Sequence, residues 1–141
     1  MKRDEIIILH SNSIARKLGI KLEDKEINYG KGIGRADNHC LMNGWIIVFE
    51  MEFSQRHPEM NVMKVWPYLE SNGHKKIFLI HHIQNIKRVS PNRISLSSFI
   101  ANKIKDSNPE RFEYFQILGE LDDNKESALK KRLNELKIVA C

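Results

Sequence analysis

The dipeptide Asn43-Gly44, set between two apolar runs, constrains this chain more than any other feature. A two-residue type I′ turn needs positive φ at both central positions, which Asn and Gly supply at the lowest cost, so the dipeptide predicts a β-hairpin. Met42 then faces Trp45, and the numbers of every opposed pair sum to 87. Asp37 falls opposite Glu50, and Arg35 opposite Glu52. Strand alternation puts Glu50 and Glu52 on one face with Ile46 and Val48, and sends Trp45, Ile47, Phe49, Met51 and Phe53 to the other. Opposed residues have Cβ atoms roughly 4.5–5.5 Å apart. One turn therefore predicts three carboxylates, Asp37, Glu50 and Glu52, on a small patch of sheet with Arg35 beside them.

The rest of the chain supplies a frame for that hairpin. Residues 4–18 read as a helix with Ile7, Ile14 and Leu18 on one side and Gly19 at its end. The polar, glycine-rich stretch 23–34 reads as a loop leading into a strand from Ile33. Its Gly30-Lys-Gly-Ile-Gly34 lacks the spacing of a P-loop or a dinucleotide fingerprint. After the second hairpin strand (45–53), Pro58 opens a helix with Val62, Val65, Trp66 and Leu69 at helical spacing, which Pro67 bends or shortens. Residues 75–83 form a strand whose apolar centre suits burial on both faces. A helix over 95–105 burying Leu96, Phe99, Ile100 and Ile104, a strand over 111–118, and an amphipathic helix over 124–138 through Ala128, Leu129, Leu133 and Leu136 complete the order α-β-β-α-β-α-β-α. The expectation is an α/β fold, a mixed sheet of about four strands flanked by helices, as one domain over residues 1–141.

Composition narrows the class. With 41% hydrophobic and 29% charged residues in 141, the chain can bury a core. No apolar run approaches the roughly 20 residues that span a bilayer, so the expected compartment is the cytoplasm and no membrane partner is expected. Cys40 and Cys141 are too few for a disulfide framework and sit in no metal-like spacing. Net charge is +5, unevenly spread. From Asn72 to Lys105 there is no acid, while Lys75, Lys76, Lys87, Arg88, Arg93, Lys103 and Lys105 contribute +7, leaving the remainder at −2. A basic stretch on an otherwise acidic chain points to a polyanion, because Lys and Arg at phosphates release condensed counterions. A solvated basic surface is the plain alternative.

Three clustered carboxylates repel one another unless a counter-charge joins them. Magnesium does so with one or two carboxylates, waters and substrate phosphate oxygens. The alternatives are a carboxylate pointing to solvent at a sheet edge, or a structural ion pair with Arg35.

Gly34-Arg-Ala-Asp37 followed by Trp45-Ile-Ile-Val-Phe-Glu50-Met-Glu52 resembles the PD-(D/E)xK nuclease superfamily, the restriction-endonuclease-like fold. That family carries an acid on one hairpin strand and (D/E)-x-K on the next, and the α-β-β-α-β-α-β order matches its core over most of the chain. Ala36 stands where the family has Pro. Glu52 stands at the motif's lysine, making E-x-E. The resemblance implies a magnesium (or manganese) site on Asp37, Glu50 and the main-chain carbonyl of Met51. Glu52 would hold metal or orient the attacking water, and a lysine displaced onto the following helix would stabilise transition-state charge. Lys64 suits that last role, because Asn61, Lys64 and Tyr68 form a stripe apart from the apolar one.

The implied chemistry is metal-assisted phosphodiester hydrolysis on DNA. Arg35, Gln55, Arg56 and the seven basic residues above would contact phosphates, with a homodimer or partner subunit supplying what so short a chain lacks. His57 suits a local cap at Pro58, with a catalytic role as the weaker alternative. His81 and His82 point to opposite faces and so form no chelating pair, and Met51, Met60 and Met63 read as core filler. One rival is a non-catalytic nucleic-acid-binding domain derived from a degenerate nuclease, which explains the basic stretch but not the acids. Another, a small-molecule magnesium hydrolase, explains the acids but leaves the basic stretch idle.

Overall fold

The computed structural model describes residues 3–23, 26–36, 38–52 and 57–138. Its elements are α1 (Arg3–Lys17), β1 (Ile27–Gly30), β2 (Gly34–Ala36), β3 (Asn38–Met42), β4 (Trp45–Glu52), α2 (Glu59–Met63), α3 (Val65–Ser71), β5 (Lys76–Ile83), α4 (Pro91–Ser107), β6 (Phe112–Leu118) and α5 (Asp123–Glu135). A four-stranded sheet runs β3-β4-β5-β6, antiparallel at β3/β4 and parallel at the other two pairings, and β1 with β2 forms a separate two-stranded hairpin. The fold is thus mixed α/β with a four-stranded mixed sheet.

The Asn43-Gly44 turn forms with φ of 51° and 84°. Its register runs Met42↔Trp45, Leu41↔Ile46, Cys40↔Ile47, His39↔Val48 and Asn38↔Phe49, each pair obeying the sum expected from the turn. The Asn43 side chain also donates to the carbonyls of Lys137 and Ile138, tying the hairpin tip to the end of α5.

Alternation along β4 divides the core. Trp45, Ile47, Phe49 and Met51 pack with Ile14 and Ala15 of α1, with Leu18 just beyond it, and with Leu129 and Leu133 of α5. Ile46 and Val48 pack on the other face with Val62, Val65 and Leu69 of α2–α3 and Ile100, Ala101 and Ile104 of α4. Burying one such side chain contributes about 1.5–3 kcal/mol, so the two layers specify the strand's facing.

Four expectations need correction. The stretch read as a loop contains β1, and Tyr29 on it is buried, so the element order gains a hairpin. Polar residues alternating with Ile27, Tyr29 and Ile33 hid a strand whose apolar side leans on α3. The helix after Pro58 is two pieces that part at Lys64, not at Pro67. Pro67 has no N–H for the carbonyl four residues back, Met63, and its ring crowds that carbonyl, so the ladder fails one turn before the proline. Leu96 and Phe99 are exposed while Ser97 and Ala101 face the core, and Met60 and Met63 are exposed. Finally, α4 begins at Pro91, its first-turn proline, so Arg93 belongs to the helix. Among the described residues, no helix is long and apolar enough to cross a membrane.

Candidate functional site

Glu50 and Glu52 share the β4 face that carries Ile46 and Val48, near the C-terminal end of the strand. Their surroundings differ. Glu52 is wholly buried, and its Oε1 accepts from Asn61 Nδ2 of α2 and meets His81 Nε2 of β5 at 3.0 Å. His81 is equally buried, and its Nδ1 lies 2.7 Å from the Tyr114 hydroxyl of β6. Gln116 Nε2 donates to that hydroxyl at 3.0 Å. One proton arrangement satisfies the chain: Gln116 N–H to Tyr114 oxygen, Tyr114 O–H to His81 Nδ1, His81 Nε2–H to Glu52. Every donor then points toward the carboxylate. Burial, opposed by the Gln116 hydrogen bond and aided by the Glu52 charge, pushes the Tyr114 phenol well above its ordinary range.

Glu50 keeps a narrow opening to solvent, with 14% of its side chain exposed. Lys64 Nζ approaches its Oε1 to 3.7 Å, donates to the Arg35 carbonyl at 2.9 Å, and lies 5.8 Å from the Tyr29 ring centre. The lysine stem passes over Gly34, where an added Cβ would sit 2.9 Å from Lys64 Cδ. Gly34 thus gives the lysine its path as well as adopting φ of +128°, a conformation that side chains disfavour. Tyr29 packs edge-on against Tyr68, with 5.5 Å between ring centres, and its buried hydroxyl has no hydrogen-bond partner among the described residues. Burial first, then the Glu50 charge and Tyr68, raise its pKa well above normal.

Asp37, Gln55 and Arg56 lie outside the described residues. Arg35 does not oppose Glu52. It pairs with Asn28 across the β1–β2 hairpin and its guanidinium bonds Glu26 at 2.8 Å. Met51 sends its side chain into the α1–α5 layer, and its main chain lies between the two glutamates. His82 turns away from His81 toward the α1 side and donates to the Gly119 carbonyl. His57 contacts Glu59 at 3.2 Å.

The basic stretch divides. Lys87 and Arg88 are exposed on the loop leaving β5 at the Glu52 end, where Gln84 N–H bonds the Glu52 carbonyl. Arg93 lies just beyond and pairs with the buried Glu59 at 2.8 Å. Lys75 and Lys76 precede and open β5 at the other end, with Lys76 opposite Trp45 and 5.6 Å from its ring centre. Lys105 bonds Glu113 at 2.6 Å, and Lys103 lies over Phe99. An eight-residue strand spans about 26 Å, so Lys87 and Arg88 lie a strand's length away from Lys75 and Lys76. The stretch is continuous in sequence because β5 and the returning α4 cross the sheet in opposite directions.

Two participants escaped the sequence reading. His81 stands beside Glu50 in the parallel β4/β5 register, which only the strand order reveals. Tyr29 sits in the polar, glycine-rich stretch whose composition masks its strand.

Among the described residues, no three His, Cys, Asp or Glu side chains are grouped closely enough to hold a metal ion. The donors nevertheless suit a hard divalent cation: Glu52 Oε2 is buried with no hydrogen-bond partner among the described residues, and magnesium accepts as few as one or two carboxylates when water and phosphate complete its shell. No protein-family model, curated protein or solved structure matches the chain.

Proposed function

We propose that this chain is a magnesium- or manganese-dependent endonuclease that hydrolyses DNA phosphodiester bonds, with a restriction-endonuclease-like core whose motif lysine has moved from the strand to the following helix. The observation that carries the reading is the approach of Lys64 Nζ to Glu50 Oε1 at 3.7 Å. An E-x-E strand lacks a cation, and the helix after it returns one to the same carboxylate.

In this reading Glu50, Glu52, the Met51 main-chain carbonyl and Asp37 hold the metal, Asp37 being assigned from the sequence alone. A bound divalent cation supplies Lewis acidity and a lowered pKa for a coordinated water. Asn61 and His81 fix one oxygen of Glu52, so that its second oxygen is held in a constant direction. Lys64, anchored on the Arg35 carbonyl, offers positive charge where the phosphorane-like transition state gains negative charge. Lys87 and Arg88, at the same end of the sheet, serve the substrate backbone.

A second reading, a DNA-binding module without catalysis, draws support from Glu52, whose complete burial and bonds to Asn61 and His81 also suit a structural carboxylate. Incubation of supercoiled plasmid with magnesium or manganese separates the two. The nuclease reading expects nicked or linear product that is lost in Asp37→Ala and Glu50→Ala. Binding without cleavage selects the second reading.

A further inference from the structure

The glycine-rich segment 30–34 closes the β1–β2 hairpin, and apart from Gly34, which gives Lys64 its path, it takes no part in the proposed metal chemistry. Its base is fastened: Tyr29 is buried against Tyr68, and the Arg35 carbonyl receives Lys64. Its tip is open, with Lys31 and Gly32 exposed. A cleft of about 440 Å³ runs along the turn, lined by Asn28, Arg35 and the segment 30–34. Among the described residues, the charged side chains lining it are Lys31 and Arg35, both cations. Gly32 adopts φ of +79°, and a Cβ there would meet nothing within 4 Å, so its wall is bare backbone facing solvent. Glycine at such a place allows a ligand to approach the main chain closely.

Arg35 is tied to Glu26, but both side chains are more than half exposed, at 65% and 51%. Exposed pairs of this kind are weak and readily exchanged for a phosphate, which accepts the same guanidinium fork. The cleft also adjoins the candidate site, since Gly34 lies against Lys64 and Lys64 meets Glu50.

We propose that the β1–β2 hairpin is a backbone grip for nucleic acid, in which Lys31 and Arg35 take phosphates of the strand whose neighbouring phosphodiester lies at Glu50 and Lys64. The grip rests on the nuclease reading for its position along the strand, but its phosphate contacts can be measured without cleavage.

The test is binding of a fluorescent DNA duplex across a salt series, without divalent metal. Each phosphate contact contributes about −0.9 to the slope of log K against log salt, so Lys31→Ala/Arg35→Ala flattens the slope by about 1.8. Lys17→Ala/Lys131→Ala, exposed on the helices covering the other face, leaves it unchanged. Glu26→Gln weakens the hold on the Arg35 guanidinium and removes a repulsive charge, tightening binding about two- to fivefold. An unchanged slope in the hairpin variant overturns the grip even if the wild type cuts plasmid. A flattened slope in a protein that never cuts overturns the nuclease reading and upholds the grip as a binding surface. No DNA binding at low salt overturns both.

Discussion

Lys64, on the link between α2 and α3, and Glu50, on the central strand β4, converge with Nζ 3.7 Å from Oε1, while the same ammonium donates to the Arg35 carbonyl of β2. Three separate segments therefore fix the position of one cation beside one carboxylate. At 17% exposure for Lys64 and 14% for Glu50, water only partly screens the pair.

Removing that cation should affect turnover before affinity. Lys64→Ala is expected to reduce plasmid cleavage in magnesium by roughly 100-fold or more, the usual effect of deleting one group that stabilises developing charge. The salt slope of DNA binding should stay nearly unchanged. Normal cleavage would reduce Lys64 to a structural partner of Glu50.

Gly34→Ala should act through Lys64. The new methyl group would lie 2.9 Å from Lys64 Cδ at a φ of +128°. Strain of this kind costs roughly 1–3 kcal/mol. Gly32→Ala also places a side chain at positive φ, +79°, but without a neighbour to displace. Both should lower the melting temperature, and only Gly34→Ala should also lower cleavage well beyond the loss of folded protein. Equal activity in the two variants would sever the link between Gly34 and Lys64.

The buried chain through His81 should be energetically coupled. His81→Phe leaves Glu52 Oε1 with Asn61 as its one partner among the described residues and is expected to cost about 1–3 kcal/mol in urea unfolding, against about 1 kcal/mol for Tyr114→Phe. Because the two residues share a hydrogen bond, the double variant should depart from additivity by at least 0.5 kcal/mol or so. Strict additivity would show that they act independently.

Divalent cations should stabilise the folded chain. Binding only to the native state adds about 2.7 kcal/mol at a hundred times Kd, visible as a rise in melting temperature. Glu50→Ala should abolish the rise. No shift at millimolar magnesium or manganese in the wild type would count against the cation site.

Stability should also fall in mild acid through His82. Burial lowers its pKa below the usual 6.5, despite the bond to Gly119, and His10, Lys125 and His81 add to the lowering. The unfolded chain therefore binds the proton more readily. The stabilising contribution of neutral His82 is present above about pH 6.5 and is lost as pH falls from there toward the depressed folded-state value. His82→Gln should flatten that part of the stability profile between pH 7 and 5, measured by urea unfolding. An unaltered profile would assign the acid sensitivity to other groups.

The Asn43-Gly44 turn and its alternating flanks determined the hairpin register, because type I′ geometry and a period of two leave no freedom once one face must be buried. They also determined that Glu50 and Glu52 share a face, and helical spacing put Asn61 and Lys64 on one stripe. These are local relations, set by backbone periodicity within a few residues. What the sequence could not decide depends on how separate elements meet. The parallel placement of β5 beside β4 brings His81 to Glu52, and β6 beyond it brings Tyr114. The docking of β1 on α3 turns Tyr29 inward and carries Arg35 to Glu26 instead of Glu52. The acid-free stretch from Asn72 to Lys105 is divided for the same reason: charge is counted along the chain, whereas the field a ligand meets depends on which ends of β5 and α4 lie together after the core has packed.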